Sequence, residues 1–204
     1  MSATKLDLRR ELHELYAPKR TAAIVEVPEL AFVMLDGHGD PGGGPEFRSA
    51  VETLYALSYT IKFIVKGASG GIDFRVMPLE GLFWVPDGAD FPPADPSRWR
   101  WRAMIMQPAP VTGEAVALAR ERVAAGKPLV ERVRFEPFHE GTAAQILHIG
   151  PYADEPATIV RLRRFIAERG YEPAGKHHEI YLSDPNRCAP EKLRTVIRYP
   201  IASR

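Results

Sequence analysis

The sequence predicts an α+β fold: two strand–helix–strand–strand modules related by a pseudo-twofold axis, with antiparallel sheets, helices packed on one side of them and a cleft between the modules. Strand-like and helix-like periodicities recur in the same order in both halves of the chain. An offset of 112 residues carries Leu35 onto Leu147, Phe47 onto Ile159, Leu54 onto Ile166 and Tyr59 onto Tyr171. The offset falls to 97 between Asp87 and Asp184 and to 92 between Pro108 and Pro200, as shorter connections in the second copy require.

Each element has its own signal. In residues 5–16, Leu6, Leu8, Leu12 and Leu15 alternate with charges, the pattern of a short amphipathic helix or docking arm. Residues 28–35 read as a strand, ended by the loop GHGDPGGGP at 37–45. Pro45 opens a helix that presents Phe47, Val51, Leu54 and Leu57 on one face. Strands are expected at 59–65, 73–77, 82–85 and 99–106, the last two separated by a proline-rich loop at 87–98. An alanine-rich helix follows at 112–126, with Thr112 and Glu114 at its start and Gly126 behind its end. In the second half, residues 143–149 form a strand and GPYADEP turns into a helix showing Ile159, Leu162 and Ile166, which Gly170 stops. Strands at 179–182 and 195–199 flank a loop at 183–192. The whole is expected to be one domain over 1–204: an arm at 1–20, a first module at about 21–110, a connecting helix at 111–130 and a second module at about 131–204.

Composition removes several classes of function. Lys+Arg 27 against Asp+Glu 26 leaves a net charge of +1, without the basic excess that a nucleic-acid surface needs. Cys188 is the only cysteine, so no disulfide staples the chain. No apolar run is long enough to span a bilayer, and the charged N-terminal stretch lacks the apolar core of a secretion signal, so a cytoplasmic protein is expected.

A cleft between modules is a natural ligand site, and the residues suited to one are aromatic and acidic. Trp84, Trp99 and Trp101 fall in adjacent strands, and Tyr181 stands at the position that matches Trp84 in the second copy. Such side chains join a flat apolar surface to a polar tip, which suits a planar organic ligand. Glu179 shares a strand face with Tyr181; a carboxylate there is expected to be desolvated, with a raised pKa fit for binding a cation or moving a proton. His177 and His178 are adjacent and point to opposite faces, a poor metal chelate, so no metal and no cofactor is expected. Cys188 has no base placed beside it. The glycine-rich loop lacks both GxGxxG and a following GK[ST], and its glycines are read as permitting a tight strand-to-helix passage.

Five stretches in order resemble the GyrI-like small-molecule-binding family: VPELAFVMLDGHGDP, VMPLEGLFWV, WRWRAMIMQP, AQILHIGPYADEP and HHEIYLSDPNRCAPEKLRT. The resemblance implies two modules around a central pocket, and makes Glu179 the pocket acid, with Trp84 and Tyr152 beside it. Where the family pattern has two tryptophans, this chain has Phe83 and Trp84. Related domains are the drug-sensing halves of transcription activators, and stand-alone members are associated with hydrolysis of cyclopropane-bearing genotoxins. The expected function is therefore binding of planar, aromatic or cationic small molecules, with Glu179, Tyr152 and Tyr181 catalytic and Trp84, Trp101, Tyr55, Phe83 and His148 binding the ligand. A module that only binds or sequesters, or one that inhibits a protein partner, is the alternative. The sequence leaves the oligomeric state open.

Overall fold

The structure, a computed structural model, describes residues 5–42, 44–86 and 95–204. In chain order the elements are α1 (Leu8–Glu11), α2 (His13–Tyr16), β1 (Ala23–Val27), β2 (Leu30–His38), α3 (Pro45–Gly67), β3 (Leu79–Trp84), β4 (Arg100–Gln107), α4 (Gly113–Val123), β5 (Arg134–Phe138), β6 (Gly141–Ile149), α5 (Glu155–Glu168), β7 (Tyr171–Pro173), β8 (His177–Tyr181) and β9 (Arg194–Ser203). The strands form an antiparallel sheet in the order β1-β6-β9-β8-β3-β4-β2-β5, with β7 on β9. This is an α+β architecture.

Directly paired residues of an antiparallel ladder share a face, which places the helices. Trp101 pairs with Phe83, Phe83 with His177, Tyr181 with Thr195, and Thr195 with His148. Helix α3 packs Phe47 edge-on against Trp101, and α5 bonds His148 through Thr158, so both helices lie on that one face. Beneath α3 the core runs through Leu35, Leu54, Leu57, Ile61 and Ile105; beneath α5, a smaller cluster joins Ile146, Leu162, Ile166 and Ile197. Gly37 lies opposite Trp101, and a Cβ there would stand 2.1 Å from the indole, so glycine is what lets that ring lie flat on the strand.

Three expectations need correction. Residues 59–65 continue α3 instead of forming a strand. Their β-branched residues favour a strand locally, but Ile61 and Val65 extend the buried stripe of Leu54, Leu57 and Ser58 at helical spacing. Pairing Tyr59 with Tyr171 therefore matches a helical residue to a strand residue. Residues 73–77 make only an isolated bridge, Phe74 with Leu6, although Phe74 and Met77 are buried. The arm at 5–16 is two short helices broken at Leu12, not one. Strands β1, β5 and β7 were not foreseen. Of the proline-rich loop, residues 87–94 lie outside the described residues, and with them the match of Asp87 to Asp184.

The opposite face of the sheet is closed by the arm through a buried ionic network. His178 stands between two carboxylates, Nδ1 donating to Glu140 at 2.9 Å and Nε2 to Glu80 at 3.1 Å. Arg198 Nη1 donates to Glu140 at 3.1 Å, while its Nη2 reaches the Leu15 carbonyl at 3.0 Å. The Tyr16 hydroxyl donates to Glu80 at 2.6 Å, and Gln145 holds the Glu14 carbonyl. Two cations and two carboxylates balance, and such burial is tolerable only because every charge is paired. Burial alone would lower the His178 pKa, but Glu140 and Glu80 outweigh it and hold it at about 9. Burial would raise Glu140, and His178 and Arg198 hold it at about 2.

The linkage follows in sign. His178 contributes in full below its ordinary 6.5, and its share is lost as pH rises through about 9. Glu140 contributes in full above 4.5, and its share is lost as pH falls toward about 2. Glu140→Gln leaves Arg198 and His178 underpaired in the interior and is expected to cost about 3–5 kcal/mol, read as a lower urea midpoint at neutral pH.

Candidate functional site

On the helix-bearing face, β8 presents His177, Glu179 and Tyr181 in alternation, and all three join in one hydrogen-bonded cluster. Glu179 accepts from His177 Nε2 at 2.7 Å on one oxygen and from the Tyr181 hydroxyl at 2.7 Å on the other. His177 Nδ1 lies 2.7 Å from the Tyr199 hydroxyl. Opposite Glu179 in the ladder is Gly81, and the Phe83 ring folds into the space a side chain would have filled: a Cβ on Gly81 would be 2.6 Å from it. Tyr152 packs edge-on against Tyr181, with ring centroids 5.8 Å apart.

The first turn of α5 brings a second carboxyl to the site. Glu155 is buried, with Glu179 and Thr195 as its neighbours. Its burial and the adjacent Glu179 charge push its pKa up to about 9. For Glu179, burial also works upward, but the bonds from His177 and Tyr181 prevail and hold it below the ordinary carboxylate value. The expectation of a raised pKa at Glu179 is thus corrected: the rise falls on Glu155. Two like charges cannot both ionise in so small a space, and the donors select which one does. The result is a neutral acid beside a carboxylate, the separation of protonation states on which acid–base sites are built. Glu155 Oε1 and Thr195 Oγ1 are buried without a well-formed hydrogen bond among the described residues, which leaves polar capacity next to the carboxylate.

Around this pair the tyrosines differ in role. Tyr152 is 40% exposed, and burial together with Glu155, Glu179 and Asp184 raises its pKa to about 12, so it keeps its proton. Tyr181 is raised further by burial and Glu179, and its proton is already given to that carboxylate. Glu179 itself keeps 14% of its side-chain surface open. Tyr55, on α3, accepts from the Leu79 N–H at 3.1 Å and tilts against Tyr59. The charge of Asp184 acts on both Tyr55 and Tyr152, which places the loop after β8 near both.

The structure therefore brings Glu179, Tyr181 and Tyr152 together, with Phe83 on the same face, and holds Trp84, Trp101 and His148 in other contacts. Trp84 follows Phe83 and by alternation faces the opposite side of the sheet, where Lys176 Nζ sits 3.6 Å from its ring centroid. It is Phe83, not Trp84, that shares a face with Tyr181. Phe83 is buried against Phe47, Trp99 and His177, and Trp101 has no exposed surface. His148 lies under α5, bonded to Thr158 and the Pro151 carbonyl. The sequence reading missed Glu155, Thr195 and Tyr199. A glutamate in a first helical turn reads as a dipole partner, and only its burial distinguishes this one. Among the described residues no group of three or more His, Cys, Asp or Glu is arranged to hold a metal, and no helix is long and apolar enough to cross a membrane.

The family model of the GyrI-like small molecule binding domain matches residues 21–202. An uncharacterized conserved protein from Listeria innocua is similar at 40% identity and a TM-score of 0.88, over 97% of this chain and 100% of its own. A hydrolase from Listeria innocua is similar at 39% identity and a TM-score of 0.86, over 98% of this chain and 100% of its own. The EcmrR C-terminal domain shares the fold at 13% identity and a TM-score of 0.56, over 90% of this chain and 98% of its own. No curated protein matches the chain.

The coupling of the two carboxyls is open to direct measurement. In Glu179→Gln, the Glu155 pKa is expected to fall from about 9 partway toward the ordinary carboxylate value, because the neighbouring charge is gone while burial remains. Carboxyl-carbon NMR titration would follow it.

Proposed function

The chain belongs to the GyrI-like small-molecule-binding domain family, and from that premise we propose that it hydrolyses cyclopropane-bearing genotoxins, with Glu179 as the general base. The observation that carries this reading is the buried pair of neighbouring carboxyls, Glu179 and Glu155, with Tyr181 bonded to Glu179 and the exposed Tyr152 packed on Tyr181. Two similar structures, at 39% and 38% identity, are described as hydrolases from Listeria innocua, which favours turnover over binding alone.

The chemistry balances with the groups present. A water held beside Glu179, Glu155 and Thr195 gives one proton to Glu179 as its oxygen bonds to a cyclopropane carbon. The strained C–C bond breaks, and its electron pair passes into the conjugated dienone, where Tyr152 protonates the carbonyl oxygen. Proton return from Glu179 to the tyrosine through solvent restores the site. Tyr152 is the donor in this scheme, since the Tyr181 proton is committed to Glu179. General acid–base catalysis of this kind is worth roughly 10²–10⁴-fold. Tyr55 and Tyr59 of α3 would supply flat rings for a planar ligand to stack on. We further read the two halves of the chain as copies of one module, because β5-β2-β4-β3 on one side of the sheet centre mirrors β1-β6-β9-β8 on the other.

The slightly exposed carboxylate flanked by tyrosines also fits a cationic planar ligand bound without reaction. Product analysis separates the two. Glu179→Gln is expected to lose turnover by at least about 10²-fold with dissociation constants for the intact compound little changed, followed by tryptophan fluorescence and mass spectrometry. One compound retained intact per chain would instead assign a binding module. Turnover against pH is expected to fall on the acid side as Glu179 takes up a proton, below 4.5, and on the alkaline side as Glu155 ionises through about 9.

A further inference from the structure

We propose that Tyr199 is a positioning residue that fixes the tautomer of His177 and, through it, the hydrogen bond that His177 delivers to Glu179. The inference rests on the reading of Glu179 as the base. It starts from a constraint on direction. A carboxylate only accepts, so the 2.7 Å contact of His177 Nε2 with Glu179 requires the proton on Nε2. The other nitrogen, Nδ1, stands 2.7 Å from the Tyr199 hydroxyl, which can donate or accept.

The surroundings of Tyr199 decide which. Its ring lies on the helix-bearing face beside His177, with centroids 5.1 Å apart, and is buried. Over it sits Arg163 of α5, its guanidinium carbon 5.5 Å from the ring centroid and Nη2 donating to the hydroxyl oxygen at 3.5 Å. With an arginine N–H on the oxygen, the hydroxyl proton turns to His177 Nδ1. Donors then run in one sense: Arg163 to Tyr199, Tyr199 to His177, His177 to Glu179. Such a chain polarises along its length and aims the Nε2 proton at the carboxylate.

The three partners come from α5, β9 and β8. Histidine orientation by a buried partner on its far nitrogen is a general device. Here it leaves the reacting carboxylate fixed from behind.

The test reads the imidazole directly. Nitrogen-15 NMR of the full chain labelled at histidine, without substrate and at neutral pH, is expected to show His177 with Nε2 protonated and Nδ1 unprotonated and hydrogen-bonded. Tyr199→Phe should move the Nδ1 resonance, and Arg163→Gln, a surface change that keeps the fold, should move it less in the same direction. A wild-type Nδ1 that is already protonated, or one that Tyr199→Phe leaves in place, overturns the proposal. Kinetically, Tyr199→Phe is expected to lower kcat by about tenfold with KM little changed, the scale of one hydrogen bond felt in the transition state. Equal losses in both constants would also overturn it. Because the nitrogen shifts need no turnover, an inactive wild type would count against the hydrolase reading alone.

Discussion

The ladder between β3 and β8 sets two groups of ionisable side chains back to back, and the rest of the molecule depends on keeping them apart. In His177-His178-Glu179 the strand period of two sends the outer residues to the helix-bearing face and the middle one to the arm. Each histidine then meets its own carboxylates: His177 binds Glu179, while His178 is clamped by Glu80 and Glu140. A shift of one residue in this register would exchange the two environments and leave unpaired charge on both faces. The chemistry of the site and the docking of the arm are therefore fixed by the same few backbone hydrogen bonds.

The two faces spend their polar groups differently. On the arm side every ionised group has a partner and is sealed from water, so the network holds structure in place. On the helix side one carboxyl is kept neutral, another stays charged and partly open, and two buried oxygens are left with capacity to spare. Full pairing rigidifies, whereas incomplete pairing beside a charged group leaves room for a reacting molecule. That contrast, more than the presence of acids and histidines, separates the candidate site from the structural cluster one residue away.

Much of this was legible in the sequence, and the misses have physical reasons. The α+β class, the buried helix faces and the strand bearing Glu179 and Tyr181 follow from periodicity. Residues 59–65 were misread because local β propensity and helical spacing conflict there, and burial of Ile61 and Val65 settles it in favour of the helix. Trp84 was matched to Tyr181 by position alone, but adjacent residues of a strand face opposite ways, and Phe83 holds the shared face. Glycine at 37 and 81 hosts aromatic rings, a role that only three-dimensional packing reveals. Glu155 escaped notice because its distinguishing property, a buried carboxyl next to another, joins residues 24 positions apart.

The arm has a consequence for the order in which the chain is made. Tyr16 finds its partner 64 residues later, Glu14 binds a side chain 131 residues later, and Leu15 is held by an arginine 183 residues away. The arm precedes every strand of the sheet yet is among the last segments to be secured, since Arg198 belongs to β9. Strands β1 and β5 reinforce this, for each pairs with the half of the sheet that does not contain its sequence neighbour. Neither half completes its edge alone. The arm cannot be secured until β9 is in place, and long-range closure of that kind makes for slow assembly.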